Sequence, residues 1–339
     1  MTASYRLAIV GASGLVGHEI VAVLQEREFP VESLRLLGSD RSLGQSLRFC
    51  EHQIPIDVLE PRSLEDLDLC FFTAGAKVSR DFLPLAASRG IFCVDNTSAF
   101  RTDPAIPLVV PEVNGDLLDK APRPRIVANP NCVAAPLTLV LAPLLQKYGL
   151  RRVVLSTYQA VSGAGRRATE ELSAQVVGMF NTGRIERSVF PHQIAFNLIP
   201  QIGDFEEDGA TGEERKIVAE TRKILRSPEM RLSATAVRVP VFNGHSQSVN
   251  IELDSPYDLE EVRDLLDAQP GVLVQDAPAD LDYPMPLPAT TRDEVFVGRL
   301  RRDPSIDNGL NLFLSSDNLR KGAALNAVQI AERLLAPAR

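Results

Sequence analysis

The stretch RLAIVGASGLVGHEIVAVL, Arg6 to Leu24, decides the fold. Arg6 to Val10 reads as a buried strand, GASGLVG (Gly11 to Gly17) as a glycine turn, and the residues through Leu24 as a helix. Strand, glycine turn and helix in that order open a dinucleotide-binding sheet. The glycines let backbone approach a pyrophosphate, and the helix N-terminus favours its negative charge. The spacing is G-x-x-G-x-x-G rather than G-x-G-x-x-G, so the position between strand and helix carries the argument more than the glycines alone.

Moving outward, a second strand, Leu34 to Leu37, runs into GSDRSLG. A ribose-binding acid often lies about 20 residues past the glycine motif, and Asp40 is 23 residues past Gly17. Arg41, with Ser39 and Ser42, instead offers a guanidinium and hydroxyls suited to a 2′-phosphate, which favours NADP over NAD. Strand patterns recur at Leu67 to Thr73, Ile91 to Val94 and Ile126 to Ala128, with helical stretches such as Ser79 to Ser88 between them. This alternation predicts an α/β fold with an N-terminal Rossmann-like, doubly wound parallel sheet. Ligands of such sheets bind beyond the carboxyl ends of the strands. FFTAGA, DNTSAFR and ANPNC all follow strands and should gather on that edge.

The pattern then changes. Arg152 to Val161 is strand-like, Glu170 to Met179 helical, Gly203 to Glu214 an acidic loop, and Lys216 to Leu225 helical. Ser233 to Val241 and Ser246 to Leu253 alternate around Asn243-Gly244, which predicts a hairpin. Glu294 to Leu300 and Leu310 to Ser315 add strands to a mainly antiparallel sheet. The expected organisation is therefore an NADP-binding domain, 1–130, completed by a C-terminal helical segment, 318–339, and an α+β catalytic and dimerisation domain, 131–317.

The 339 residues carry 36 Lys and Arg against 44 Asp and Glu, a net charge of −8. That argues against nucleic acid and anionic membrane as partners. The N-terminus lacks signal-peptide features, and no apolar run approaches ~18 residues. The four cysteines are too few for a disulfide scaffold, which points to a reducing cytoplasm. Cys50, Cys70 and Cys93 lie in apolar runs and read as packing residues. Cys132 follows Asn-Pro-Asn and precedes a helix. Asn131 can cap that helix and Pro136 suits its first turn. A thiol there gains thiolate character from the dipole and free N–H groups, which also serve an oxyanion. A nucleophilic cysteine needs a histidine, and His245, at a strand start, is the best placed of four. Arg238 lies on the opposite face from Val237 and Val239 and needs an anionic partner.

Taken in order, GASGLVG, SDRSLG, TSAFR, PLVVPEVN, NPNC, TYQAVSGAG, EERK, RVPVFNGHS and SDNLRKGAA span nearly the whole chain. With them the chain resembles the aspartate-semialdehyde dehydrogenase family. The resemblance implies NADPH-dependent reduction of aspartyl β-phosphate to aspartate β-semialdehyde and phosphate, on the route to lysine, threonine, methionine and, in bacteria, diaminopimelate, by a homodimer or dimer-based tetramer built through the second domain. It implies Cys132 as the acyl-thioester nucleophile, His245 as acid/base and Gln159 as the residue orienting substrate beside the thiol. Arg238 would hold the substrate carboxylate and Glu213 its amine. Arg101 and Lys216 would hold phosphate, with Asn131 nearby. Gly11, Ser13, Gly14, Leu15, Val16, Arg41, Ser42, Ser162, Gly163 and Asn318 would contact NADP.

The family usually follows NPNC with Ser or Thr, where this chain has Val133-Ala134. Two other readings stay open at this stage. One is a reductase of another acyl phosphate, such as N-acetyl-glutamyl phosphate. The other is a catalytically weak, NADP-binding paralogue with a regulatory role.

Overall fold

The computed structural model describes residues 4–119, 122–181, 183 and 185–336. Two compact units emerge: Met1–Asn131 with Ala323–Arg339, and Cys132–Gly322.

In the first unit, strands β1 (Tyr5–Val10), β2 (Val31–Gly38), β3 (Ser46–Phe49), β4 (His52–Val58), β5 (Leu69–Phe72), β6 (Phe92–Asp95) and β7 (Ile126–Ala128) form one sheet in the order β3-β4-β2-β1-β5-β6-β7. Every pairing is parallel except β3 with β4. β1 has β2 on one side and β5 on the other, so the winding reverses there, where such sheets bind ligands. Leu7 and Ile9 of β1 join one buried cluster, with α1 (Leu15–Glu26). Ala8 and Val10 join a second, which includes Leu83 and Ala86 of α2 (Ala76–Ser88). Alternate side chains thus enter separate cores on the two faces, which accounts for the unbroken apolar run of β1. A single turn, α3 (Pro111–Asn114), follows. The chain returns as α9 (Leu325–Leu335), whose Leu325, Val328 and Ile330 pack in the first cluster. A π-helical turn, Arg320–Ala324, precedes α9, so the regular helix starts later than the expected helical segment from 318.

The antiparallel edge hairpin β3–β4 was not evident in the sequence, because β3 has only four residues and Pro55 interrupts the strand pattern of β4. It also corrects the reading of Cys50, which is exposed in the hairpin turn at φ +51° rather than packed in a core. Cys70 and Cys93 are buried as expected, and burial pushes both thiols up.

The second unit holds α4 (Ala134–Tyr148), β8 (Leu150–Gln159), α5 (Arg166–Asn181), α6 (Gly212–Ile224), β9 (Arg231–Arg238), β10 (His245–Leu253), α7 (Leu259–Asp267), β11 (Val272–Val274), the turn α8 (Pro286–Ala289), β12 (Val295–Asp303) and β13 (Gly309–Ser316). Its sheet runs β11-β12-β13-β10-β8-β9. The sheet is mixed: β8–β9 and β11–β12 are parallel and the other pairs antiparallel.

β9 and β10 do not form the expected hairpin, because β8 lies between them. After Arg238 the segment 239–244 crosses the end of β8. Val239 N–H donates to the Gln159 carbonyl, and Val161 and Ser162 N–H donate to the Val241 and Phe242 carbonyls. Gly244, at φ +86°, then turns the chain into β10 on the far side. Asn-Gly marks a turn correctly here, but Pro240 and this six-residue crossing prevent direct pairing. The acidic loop also ends earlier than expected, since α6 starts at Gly212 behind a Thr211/Glu214 capping box.

Candidate active site

Three strand ends of the second unit build one row of side chains. In the parallel pairing of β8 with β9, Gln159 is opposite Arg238. In the antiparallel pairing of β8 with β10, Tyr158 is opposite Ser246, which sets His245 beside Gln159. Register therefore lays His245, Gln159 and Arg238 side by side, at the ~4.8 Å spacing of neighbouring strands. All three are buried.

Each is locked by hydrogen bonds. Arg238 Nη1 donates to the Ala160 carbonyl at 2.7 Å. The Ala160 N–H donates to His245 Nδ1 at 3.0 Å. Thr157 Oγ1 donates to Gln159 Oε1 at 3.0 Å, and Gln159 Nε2 donates to Glu213 Oε1 at 3.2 Å. Those two bonds fix which way the amide points. The neighbouring Glu214 is occupied elsewhere, accepting from Thr211 N–H at 2.7 Å and Ala236 N–H at 2.9 Å. Glu213 instead accepts from Gln159 of the row, with Lys216 Nζ at 3.9 Å from its carboxylate on the next turn of α6.

Burial first, and the Arg238 charge second, hold the His245 imidazole well below its ordinary value, so the ring is neutral near pH 7. With Nδ1 accepting from Ala160, the ring proton sits on Nε2, and Nε2 has no hydrogen-bond partner. Burial also lowers the Arg238 guanidinium, opposed by its electrostatic interaction with Cys132 first and Glu213 second. That coupling puts the Cys132 thiol within the electrostatic reach of Arg238.

Cys132 is partly buried, one residue before the α4 N-cap. That N-cap is Val133 rather than Asn131, and it makes no side-chain capping bond. Pro136 occupies the first turn, as its missing N–H requires. Two glycines leave room around these groups. A Cβ on Gly163 would stand 3.0 Å from Arg238 Nη1 and 3.1 Å from His245 Nε2. A Cβ on Gly322 would stand 2.9 Å from the Cys132 Cβ.

In the first unit, the glycine turn lines a cavity of about 530 Å³ with Ser13, Gly38, Ser39, Asp40 and Thr73. Gly11 has φ +91°, and a Cβ there would meet Thr73 Oγ1 at 2.5 Å. The N-cap of α1 is Gly14, without a side-chain cap, so Leu15 and Val16 open the helix with N–H groups directed at any anion beyond it. Ser13 and Ser42 share a hydroxyl hydrogen bond of 2.8 Å. Asp40 lines the cavity, whereas Arg41 is exposed and lies outside its wall. This turn fits a dinucleotide pyrophosphate.

Arg101, buried in the same unit, donates from Nε to the Asn129 carbonyl at 2.8 Å and from Nη2 to the Asn96 carbonyl at 2.9 Å. Its loop is braced by Asp95, which accepts from Thr97 N–H at 3.0 Å and Ser79 Oγ at 2.8 Å. Asn131 is buried at the end of this unit. Ser162, Gly163 and Asn318 belong to the second unit. Asn318 is bonded to Ser162 and accepts from Gly244 N–H at 2.9 Å, which steadies the turn into His245. Among the described residues no group of His, Cys, Asp and Glu is arranged to hold a metal, and no helix is long and apolar enough to cross a membrane.

Comparison with known proteins then places the chain. Residues 6–121 match the semialdehyde dehydrogenase NAD binding domain and 141–321 the semialdehyde dehydrogenase dimerisation domain. The aspartate-semialdehyde dehydrogenase of Aquifex aeolicus is 46% identical over 333 residues, 98% of each chain. The chain belongs to the aspartate-semialdehyde dehydrogenase family. A crystal structure of the family's second Vibrio cholerae enzyme, complexed with ASA, superposes with a TM-score of 0.96 at 41% identity and covers both chains completely. The aspartate-semialdehyde dehydrogenase of Candida albicans, solved with NADP, is more distant, with a TM-score of 0.77 at 26% identity over 98% of this chain and 99% of that one.

Sequence reasoning missed Gln247, a buried residue two positions after His245 on the same face of β10. The period of two along the strand was the signal that could have found it.

Proposed function

We propose that this chain catalyses the NADPH-dependent reductive dephosphorylation of L-aspartyl 4-phosphate to L-aspartate 4-semialdehyde through an acyl thioester on Cys132. The carrying observation is the His245–Gln159–Arg238 row, with the Cys132 thiol close enough to oppose the lowering of Arg238.

Arg238, desolvated beside Gln159, receives the substrate α-carboxylate in a charge-assisted pair. Glu213 receives the ammonium, oriented by the Gln159 amide. A buried carboxylate suits a free amine, and an acetylated nitrogen carries no charge for it, which favours aspartyl over N-acetyl-glutamyl phosphate. Cys132 attacks the acyl carbon and phosphate leaves, with Lys216 of α6 as its cationic contact. In the first unit Gly11 to Val16, with Arg41 and Ser42 as further contacts, would hold NADPH, which would supply the hydride that reduces the thioester carbon. His245 donates a hydrogen bond from Nε2–H to the oxygen of the tetrahedral species as that oxygen gains charge, and the species then collapses, breaking its C–S bond to release the semialdehyde and the Cys132 thiolate. For the ring to act as a base toward the thiol it must first release the Ala160 N–H, so hydrogen-bond donation is the role its tautomer serves best.

The site works in the reducing cytoplasm, where its thiol stays free. The chain pairs as a homodimer through the second unit. The sheet face opposite the row carries Tyr158 and Phe313, whose ring centroids are 6.1 Å apart, beside half-buried Ser248 and Asn250. Such a mixed polar and aromatic face suits a subunit interface.

The test is reverse turnover, NADPH formation from aspartate semialdehyde, phosphate and NADP. Strict phosphate dependence and loss of rate in Cys132→Ala are expected. Turnover without phosphate, or an unchanged rate in the variant, overturns the proposal.

A further inference from the structure

Gln247 is fully buried, and in the sheet it stands opposite Thr157 of β8 and Leu314 of β13, one row below His245. Its Nε2 donates to the Val133 carbonyl at 3.0 Å. That carbonyl also accepts the first bond of α4, from Leu137 N–H at 3.2 Å. The other half of the amide, Oε1, is buried without a hydrogen-bond partner. An apolar side chain would fill the position without leaving a buried acceptor unpaired, so the amide is a costly choice for packing alone. What it provides is one directed bond, from the strand that carries His245 to the residue that follows Cys132.

We propose that Gln247 is a positioning residue that holds the Cys132 turn at a fixed height against the His245 strand. The inference deepens the reading of Cys132 as the nucleophile and rests on it. Gly322 confines the turn as well, since even a Cβ there would crowd Cys132 Cβ and Cα, at 2.9 and 3.1 Å. With backbone contact from Gly322 and a tether from Gln247, the sulfur is placed by β10 as well as by its own turn. Thiolate attack needs its partner atom within about 3–3.5 Å and aligned, and a strand is stiffer than a turn. Charge matters too. A neutral amide does not oppose the thiolate, whereas a carboxylate in the same dry position would.

The experiment compares wild type, Gln247→Leu and Gln247→Glu in the full chain, with Cys132→Ala as control. Three quantities are measured: the melting midpoint, the pH dependence of iodoacetamide alkylation at Cys132 (followed by mass spectrometry without substrate), and kcat and KM in the phosphate-dependent direction. Gln247→Leu is expected to lower kcat by about 10- to 100-fold through misplacement. Its KM for aspartate semialdehyde should stay within about twofold, because Arg238 and Glu213 are untouched. Gln247→Glu is expected to move the alkylation midpoint up by about one pH unit or more. A Gln247→Leu enzyme with the wild-type kcat and alkylation profile overturns the proposal, whether or not its melting midpoint falls. An unmoved alkylation midpoint in Gln247→Glu overturns it too, and that variant decides alone if Gln247→Leu does not fold. Alkylation needs no turnover. A wild type that turns nothing over, but whose Cys132 reactivity follows residue 247, would therefore sink the enzymatic reading and leave this one standing.

Discussion

Gly322→Ala adds one methyl group directly against Cys132, the nucleophile proposed above. The new Cβ would lie 2.9 Å from the Cys132 Cβ and 3.1 Å from its Cα and carbonyl oxygen. Carbon atoms rest at about 3.5–4.0 Å, so relief requires a displacement of about 0.6–1.1 Å at the closest pair. Two of the three neighbours are backbone atoms and cannot rotate away. The third is the carbon that carries the sulfur. Overpacking of this kind costs about 1–3 kcal/mol of stability. The larger effect falls on chemistry, because a 1 Å misplacement can cost about 10²-fold in rate, or about 2.7 kcal/mol of transition-state stabilisation. The assay is phosphate-dependent NADPH formation, run beside Cys132 alkylation and a melting curve. The expected result is a kcat lowered by about 10- to 100-fold with NADP affinity kept. A Gly322→Ala enzyme with wild-type kcat and wild-type alkylation would refute the reasoning, since the turn would then have absorbed the methyl without moving the sulfur.

Three further outcomes are expected. Gly11→Ala asks for φ +91° from a residue with a Cβ and for space that Thr73 Oγ1 fills at 2.5 Å; NADPH affinity by calorimetry should fall at least about tenfold, and unchanged affinity would remove Gly11 from the cofactor site. His245 gives a pH signature. Its folded pKa is depressed, so below about pH 6.5 the unfolded chain binds a proton that the folded chain refuses, and stability falls with pH by up to about 1.4 kcal/mol per unit. Urea melts between about pH 7 and 5 should show that slope in wild type and a shallower one in His245→Asn; parallel slopes would contradict the assignment. Glu213→Gln removes the charge proposed to meet the substrate ammonium. A loss of about 1.5–3 kcal/mol, or roughly 10- to 100-fold in kcat/KM, is expected mainly through KM, and a pure kcat effect would argue against amine binding.

What the sequence revealed was local. Gly11 to Leu24 announces strand, turn and helix because each signal lies within a few residues of the next. Cys132 stands out because Asn-Pro-Asn and Pro136 mark a helix start. The arrangement of the second unit was not local. Asn243-Gly244 has the chemistry of a hairpin turn, and only the crossing of 239–244 over β8 shows that β9 and β10 are not neighbours. Register then decides what stands beside Gln159, and a turn signal carries no register. The resemblance brought forward Asn318 as a cofactor contact. The structure adds that its side chain is committed to Ser162 and Gly244. The resemblance brought forward nothing at Gln247, whose importance depends on which carbonyl its amide reaches.

The interposed strand has a consequence for the life of the chain. Cys132 leaves the ribosome 113 residues before His245, and Gln159 precedes its lateral neighbour by 86. Pairings of such long sequence separation form slowly. Until β10 docks against β8, the thiol has no tether and Arg238 no histidine beside Gln159. On the role proposed for Cys132, a nascent or refolding chain therefore carries an ordinary cysteine there, and reactivity should appear only as the sheet closes. The rate at which Cys132 becomes alkylable after dilution from denaturant is a clock for that final pairing.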